Sequence, residues 1–228
     1  MSRINTDFEA ILSDMKSAVK NFDGEVSLHA LFSDLNPASR DGAIREIAKK
    51  RFEQSLRAAL EINARTIVFH SGNKATKHHG SRQNFIDGSI AFWSDFVKQL
   101  EKYQITASIE NVLEREPDTL VEIVKTVNSP YLKFTLDTGH ANLCSLMQVS
   151  DWIMCYGQKL HHMHIHNNFK TNDDHAGLTN GSINFEFVIK TLLDENLSPN
   201  IVFEIFDESE LVDSLEYFSN IERKLTLS

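Results

Sequence analysis

The stretch LKFTLDTGHAN, residues 132–142, contains the pattern that decides the fold class of this chain. Its apolar part, FTL, is typical of a buried strand, and Asp137 and His140 follow three residues apart. Gly139 lies between them and permits a tight turn where the chain leaves the strand. Carboxylates and imidazoles are ligands that Zn²⁺ and Mn²⁺ accept, so the stretch predicts a strand that ends at a metal- or substrate-binding site.

Five further apolar runs contain or end in an imidazole or carboxylate side chain. These runs are VSLHALF with His29, TIVFHSG with His70, ASIENV with Glu110, HHMHIHNN with His164 and VFEIF with Glu204. A DDH element between the last two runs adds Asp173 and His175. Packing alone does not explain so many apolar runs with charged ends, whereas strand ends that converge on one site do.

Strand-like and helix-like segments alternate along the chain, which predicts one α/β domain spanning residues 1–228. The predicted strands are 25–32, 66–71, 106–112, 132–138, 160–167 and 200–206. The predicted helices are 6–22, 40–63, 83–103, 117–127, 146–157, 184–196 and 209–224. Because the strands are continuous apolar runs, we expect a parallel (β/α)8 TIM barrel with its chemistry at the carboxyl ends of the strands. Six strands are recognisable, so either the barrel is open on one side or a β–α–β unit is missing at the N-terminus.

Composition excludes several classes of function. The formal net charge is −9, which argues against a broad surface for duplex DNA, so nucleic acid is an unexpected partner. The two cysteines, Cys144 and Cys155, predict no disulfide framework and fit a reduced cytoplasmic protein. No apolar run approaches the ~20 residues of a membrane span, and the N-terminus lacks a signal-peptide pattern.

Two glutamates and a histidine cluster are the strongest chemical candidates. Glu110 and Glu204 each follow an apolar strand, so they would face each other across a barrel mouth and could remove and return a proton. His162, His164 and His166 alternate and therefore share one strand face. Burying three imidazoles without partners is costly, so at least one should be a ligand, and the spacing alone does not say which.

The loop SGNKATKHHGSR, residues 71–82, has two interpretations. A solvated run of charges is the simpler one. The alternative is a mobile clamp over a phosphate or sugar, in which cationic side chains bind the substrate. The residues concerned are Lys74, Lys77, His78, His79 and Arg82.

Taken together, these motifs resemble the xylose isomerase-like TIM-barrel superfamily, which contains sugar-phosphate isomerases and epimerases and the endonuclease IV branch, AP endonuclease family 2. The resemblance covers residues 25–206, and its most specific pieces are IEN, LDTGHAN, HIHNN followed by DDH, and FEIF. It implies this barrel type without its first two strands. Asn167 stands where the family usually has aspartate.

The resemblance implies a site as well as a fold. A core divalent metal ion, Zn²⁺ or Mn²⁺, would be held by Glu110, Asp137, His164 and Glu204. In the epimerase-like members the two glutamates also move the proton, and the residue at the position of His140 contacts a substrate oxygen. Endonuclease IV holds three zinc ions, so this chain would bind one to three ions. All nine of its ligand positions are filled here, by His29, His70, Glu110, Asp137, His140, His164, Asp173, His175 and Glu204. Further substrate contacts are expected from His29, His70, Lys74, His166 and Asn167.

Three functional hypotheses remain open at this point. The leading one is a metal-dependent isomerase or epimerase of a small sugar or sugar phosphate, with Glu110, Glu204 and His140 as catalytic residues. The second is a multinuclear zinc phosphodiesterase related to apurinic-site endonucleases. The third is a non-catalytic metal-binding remnant whose open barrel edges a second subunit would cover, so a homo-oligomer is expected there.

Overall fold

The computed structural model describes residues 7–73 and 81–226, and strands and helices alternate through it. The strands are β1 (Ser27–His29), β2 (Thr66–His70), β3 (Thr106–Glu110), β4 (Leu132–Asp137), β5 (Leu160–Ile165) and β6 (Asn200–Phe203). The helices are α1 (Phe8–Val19), α2 (Gly42–Glu61), α3 (Ser81–Tyr103), α4 (Asp118–Val127), α5 (Thr138–Cys144), α6 (Val149–Tyr156), α7 (Phe185–Asp194) and α8 (Glu208–Thr226). A 3-10 turn at Gly157–Lys159 leads into β5.

The six strands form one parallel sheet in the order β1-β2-β3-β4-β5-β6. Each strand therefore pairs with its neighbours in sequence, as in a (β/α) barrel, and the helices flank the sheet as a half-barrel. The first and last strands approach at their amino ends, where the Asn200 amide donates to the Glu25 carboxylate at 3.1 Å. The expected partial barrel of six strands is confirmed.

The core lies between the sheet and its covering helices. Phe52 of α2 packs against Phe69 of β2, with ring centroids 4.5 Å apart, and Trp93 and Phe96 of α3 join the same cluster. These four aromatic side chains are almost completely buried. Burying large apolar surfaces supplies most of the energy that holds helices against the sheet. Trp93 and Trp152 are both buried core residues.

The carboxyl ends of the strands open towards one face of the barrel, and this polarity positions the site. His29, His70, Glu110 and Asp137 are the last residues of β1 to β4. His164 lies one residue before the end of β5, and Glu204 directly follows β6. Within residues 7–73 and 81–226, no helix is both long and apolar enough to cross a bilayer.

Candidate metal centre

The buried carboxylate of Glu110 joins three histidines from three other strands. Its Oε2 lies 3.2 Å from His29 Nε2 and 3.3 Å from His70 Nε2. Its Oε1 lies 3.1 Å from His164 Nδ1. Burial disfavours the ionised carboxylate, but hydrogen bonds from His164, His29 and His70 outweigh it and hold the pKa of Glu110 well below its ordinary range. Glu110 is therefore anionic and shared between two sides of the opening.

His164 and three carboxylate side chains meet at the mouth of the barrel. Its Nδ1 lies 3.1 Å from Glu110 Oε1, 3.5 Å from Glu204 Oε2 and 3.9 Å from Asp137 Oδ2. Candidate ligand atoms of all four residues lie within 4.8 Å of one another. Glu110, Asp137 and His164 are buried, while the Glu204 side chain is 33% exposed at the opening. We call these four residues the central group.

The central group fits a divalent cation. Taking three carboxylates out of water beside one another is unfavourable unless positive charge compensates them. In this structure His164 supplies that charge: burial opposes its protonation, but Glu110, Glu204 and Asp137 raise its pKa to about 9. A bound cation would replace the proton. Three carboxylates and one imidazole are donors that both Zn²⁺ and Mn²⁺ accept.

A second cluster lies beside the central group, around Asp173. Its carboxylate is 3.2 Å from His140 Nε2 and 3.3 Å from His175 Nε2. Hydrogen bonds from these two histidines lower the pKa of Asp173. Burial opposes protonation of His140, but Asp137, Asp173 and Glu110 raise its pKa to about 10. Ligand atoms of His166, Asp173 and His175 also lie within 4.8 Å of one another.

His140 and His175 are positioned by local backbone structure. Asp137 caps the amino end of α5, where its Oδ1 accepts from the His140 backbone N–H at 2.6 Å. The ring of His140 is oriented by its Nδ1, which lies 3.0 Å from the Asn111 carbonyl oxygen. His175 has a left-handed backbone, with φ of 48°, and its Nδ1 contacts the Glu204 carbonyl oxygen at 2.8 Å. A left-handed residue other than glycine is uncommon, and such residues concentrate at functional sites.

The structure distinguishes the three alternating histidines of β5 and the loop after it. His164 belongs to the central group, as the resemblance implied. His162 is buried, and within the described residues neither of its ring nitrogens has a hydrogen-bond partner. His166 and Asn167 are both 0% exposed, so neither side chain faces the opening. Asn167 instead braces the loop, donating to the Leu178 carbonyl at 2.7 Å.

Comparison with known proteins identifies the family of this chain. Residues 3–221 match the family model described as "Xylose isomerase-like TIM barrel". The chain belongs to this family.

Two relatives and two solved structures are similar to this chain. An uncharacterized protein of Methanocaldococcus jannaschii is 30% identical over 75% of this chain and 61% of its own length. A probable endonuclease 4 of Mycobacterium leprae is 25% identical over 72% of this chain and 67% of its own length.

A D-tagatose 3-epimerase-like protein has 25% identity and a TM-score of 0.85, covering 96% of this chain and 84% of that one. A Thermus thermophilus protein soaked with ZnCl2 has 20% identity and a TM-score of 0.81, covering 97% and 85%. The chain thus spans less than two thirds of the first relative's length.

Two residues beside the candidate site were given no role from the sequence, although Asn111 lies in the IEN motif. The side-chain amide of Asn111 donates to the Asp137 carbonyl at 3.0 Å and accepts from the Asp137 N–H at 2.9 Å. Buried Glu114 accepts from Ser71 Oγ at 2.6 Å, which ties the loops after β2 and β3 together. An amide side chain can pair with a backbone N–H and C=O at once, and this was the available signal for Asn111.

Two exposed aromatic rings flank the opening and were also missed. Phe32 stacks on His70 with centroids 4.5 Å apart, and Phe206 stacks on His175 at 4.2 Å. They are the last residues of the apolar runs VSLHALF and VFEIF, which contain His29 and Glu204. That placement was the only sequence signal for them.

The cationic loop of residues 71–82 is described only in part. Lys74, the expected substrate contact, lies outside the described residues, as do Lys77, His78 and His79. Arg82 lies in α3, where its guanidinium contacts Glu122 at 3.0 Å and Thr119 Oγ1 at 3.0 Å. Arg82 therefore links α3 to α4 in this structure.

Proposed function

We propose that the chain is a metal-dependent isomerase or epimerase of a small sugar or sugar phosphate. The observation that carries this proposal is the central group, in which Glu110 and Glu204 converge with Asp137 and His164 at the mouth of the barrel. These four residues would hold one Zn²⁺ or Mn²⁺. When bound, such an ion polarises the carbonyl and hydroxyl oxygens of a substrate and so makes the neighbouring C–H more acidic.

The two glutamates are suited to move the proton. Glu204 is accessible at the opening and can take a proton from, or return it to, the carbon beside a carbonyl. Glu110 is buried and kept anionic by three histidines, so its carboxylate can accept a proton without first losing one. An isomerase needs one group to remove a proton and one to deliver it, and an epimerase needs delivery to the opposite face.

The histidines around the opening are suited to bind substrate oxygens. The side chains of His29 and His70 are 29% and 20% exposed, and each already contacts Glu110. His140 reaches from α5 towards the same space, and its raised pKa makes it a cationic donor in the metal-free protein. We assign hydroxyl and carbonyl contacts to these three side chains, with Lys74 as a further contact from its loop.

The comparison with the D-tagatose 3-epimerase-like protein supports a sugar as substrate, because that chain is 25% identical over nearly all of this one. The test is deuterium incorporation. The metal-loaded protein is incubated in D₂O with a panel of ketohexoses, pentuloses and their phosphates, and ¹H NMR follows the C–H bonds beside the carbonyl. We expect exchange in at least one sugar that stops on chelation. A panel with no metal-dependent exchange would overturn the proposal.

A second candidate function is a multinuclear phosphodiesterase that acts on abasic DNA. It is favoured by the three neighbouring groups of potential ligands and by the probable endonuclease 4 relative at 25% identity. Several bound ions together would activate water and neutralise phosphate charge. The net charge of −9 weighs against it, since backbone binding needs cations. Cleavage of an abasic duplex that chelation abolishes would favour this candidate over the first.

A further inference from the structure

His166 is a fully buried imidazole beside the candidate site, and the family resemblance implies a substrate contact for it. The residue is 0% exposed, so its side chain is buried below the opening and does not line it. Its Nε2 lies 3.1 Å from both carboxylate oxygens of Asp137. The ring therefore contacts a central-group carboxylate from the side away from solvent.

Neighbouring groups fix the backbone of His166. The Thr138 hydroxyl donates to the His166 carbonyl at 2.8 Å and accepts from the His166 N–H at 3.1 Å. Because Thr138 directly follows Asp137, one side chain locks the backbone of His166 to the strand end that carries the carboxylate. The distance from ring to carboxylate is thus set by two attachments, one through the backbone and one through Nε2.

A stack of three rings restrains the His166 imidazole. His175 lies parallel to it, with centroids 4.0 Å apart and planes 7° apart. Phe206 covers the other face of His175 at 4.2 Å and 11°. The stack runs from an exposed phenyl ring to a fully buried imidazole. It connects the cluster around Asp173 to the central group.

Gly139 leaves room for the ring. A Cβ atom at residue 139 would lie 2.0 Å from His166 Cε1 and 2.5 Å from its Nδ1. Such distances are far inside van der Waals contact, so any side chain there would displace the imidazole. The glycine that the sequence suggested for a tight turn is thus also the space that His166 occupies.

We propose that His166 is a positioning residue of the metal centre: it donates its Nε2–H to Asp137 and supports His175, and is not itself a ligand. This inference rests on the proposed metal centre. Its Nε2 contacts Asp137, its Cε1 edge faces Gly139, and its Nδ1 has no hydrogen-bond partner among the described residues. The parallel stack also prevents in-plane lone pairs of His166 and His175 from converging on one ion. A hydrogen bond to a ligand carboxylate fixes its orientation and strengthens metal binding.

The test uses two substitutions that distinguish the effect of the hydrogen-bond donor from the effect of side-chain volume. H166L keeps a similar volume but removes the donor, whereas H166Q places an amide N–H near the position of Nε2. Zinc affinity is measured by competition with a chromophoric chelator, with folding checked by circular dichroism. We expect H166L to lower zinc affinity about 10–100-fold, the range for groups that orient a metal ligand, and H166Q to keep it within a few-fold.

A matched control comes from β5, the strand that leads into His166. His161 contacts Thr66 Oγ1 at 2.9 Å near the amino ends of β5 and β2, whereas the central group lies at the carboxyl ends of the strands. H161L should leave zinc affinity unchanged. Equal affinity in folded H166L and wild type would overturn the inference. Loss of one whole zinc ion per chain in both H166L and H166Q would instead make His166 a ligand, which also overturns it.

A metal-free measurement covers the case in which H166L does not fold. G139A should lower the free energy of unfolding strongly in wild type but much less in an H166A background, because the displaced ring is then absent. An equal cost of G139A in both backgrounds would contradict the placement of the ring. Failure of the proposed function is distinguishable, because it appears as wild-type protein that binds no zinc or turns over no sugar, whatever residue 166 is.

Discussion

Glu110 and His164 are 54 positions apart in the sequence, yet Glu110 Oε1 and His164 Nδ1 lie 3.1 Å apart inside the barrel mouth. This contact joins the end of β3 to the end of β5, across β4. It forms because parallel strands in sequential order bring their carboxyl ends to the same face. The same carboxylate contacts His29 and His70 through its other oxygen. Glu110 therefore connects the central group to the two histidines that end β1 and β2, the first two strands of the sheet.

The first prediction concerns proton transfer by Glu204. Glu204→Gln keeps an oxygen donor for the metal but cannot accept a proton. We expect deuterium exchange and turnover to fall by about 10²–10⁴-fold, the usual contribution of a general base, while most of the metal is retained. NMR exchange rates and elemental analysis measure the two quantities. Glu208→Gln, an exposed glutamate of α8, is the control. Full activity in Glu204→Gln would exclude the proton-transfer role.

The second prediction concerns the amide that holds Asp137. Asn111→Leu removes both hydrogen bonds to the Asp137 backbone and leaves two buried groups without a partner. We expect a loss of about 1–3 kcal/mol in the free energy of unfolding for each unsatisfied group, together with weaker zinc binding. Urea denaturation and chelator competition measure these effects. Asn200→Ala removes an exposed hydrogen bond at the other end of the barrel and should cost little.

The third prediction concerns the pH dependence of metal binding. The pKa of His164 is raised to about 9 in the metal-free protein, so the imidazole carries a proton at pH 7. A metal ion that binds Nδ1 must displace that proton. Apparent affinity should therefore rise with pH, by about tenfold per unit for each proton displaced, and level off near pH 9. Calorimetry in two buffers of different ionisation enthalpy counts the protons. Affinity that does not change between pH 6.5 and 8.5 would contradict this assignment.

The fourth prediction separates the two candidate functions. His29→Ala combined with His70→Ala removes two of the three potential ligands of the group they form with Glu110. A single-ion isomerase should keep its central ion and lose mainly substrate affinity, seen as a higher KM with a smaller change in kcat. A multinuclear phosphodiesterase should lose one ion per chain and its DNA cleavage together. Elemental analysis of the wild type and double variant distinguishes these outcomes.

Much of the fold follows from the sequence. Strands β2 to β6 begin at the predicted residues, because each apolar run starts directly after a helix end or turn. Their ends were predicted one to three residues too far along, because the residues that leave the sheet for the site are still partly apolar. Helix α5 was missed. Its seven residues, TGHANLC, carry no helical apolar periodicity, and the helix depends on the cap from Asp137.

The site was predictable in composition but not in its pairings. The identities of Glu110, Asp137, His164 and Glu204 followed from strand-end position and family resemblance, and the structure brings all four together. The different placements of His162, His164 and His166 could not be read from their alternation. They depend on the register between β4 and β5, which shifts between Phe134 and Thr135. A shift of register changes which imidazole meets which carboxylate, and no local pattern encodes it.

The proposed metal centre is tested by the number of metal ions bound per chain. Protein purified without chelator is loaded with zinc or manganese, desalted and analysed by elemental mass spectrometry, beside folded Asp137→Ala and His164→Ala variants. We expect at least one ion per chain in the wild type and the loss of one ion in each variant. Folded wild-type protein that holds no ion, or variants that retain the full complement, would contradict a metal centre built on Glu110, Asp137, His164 and Glu204.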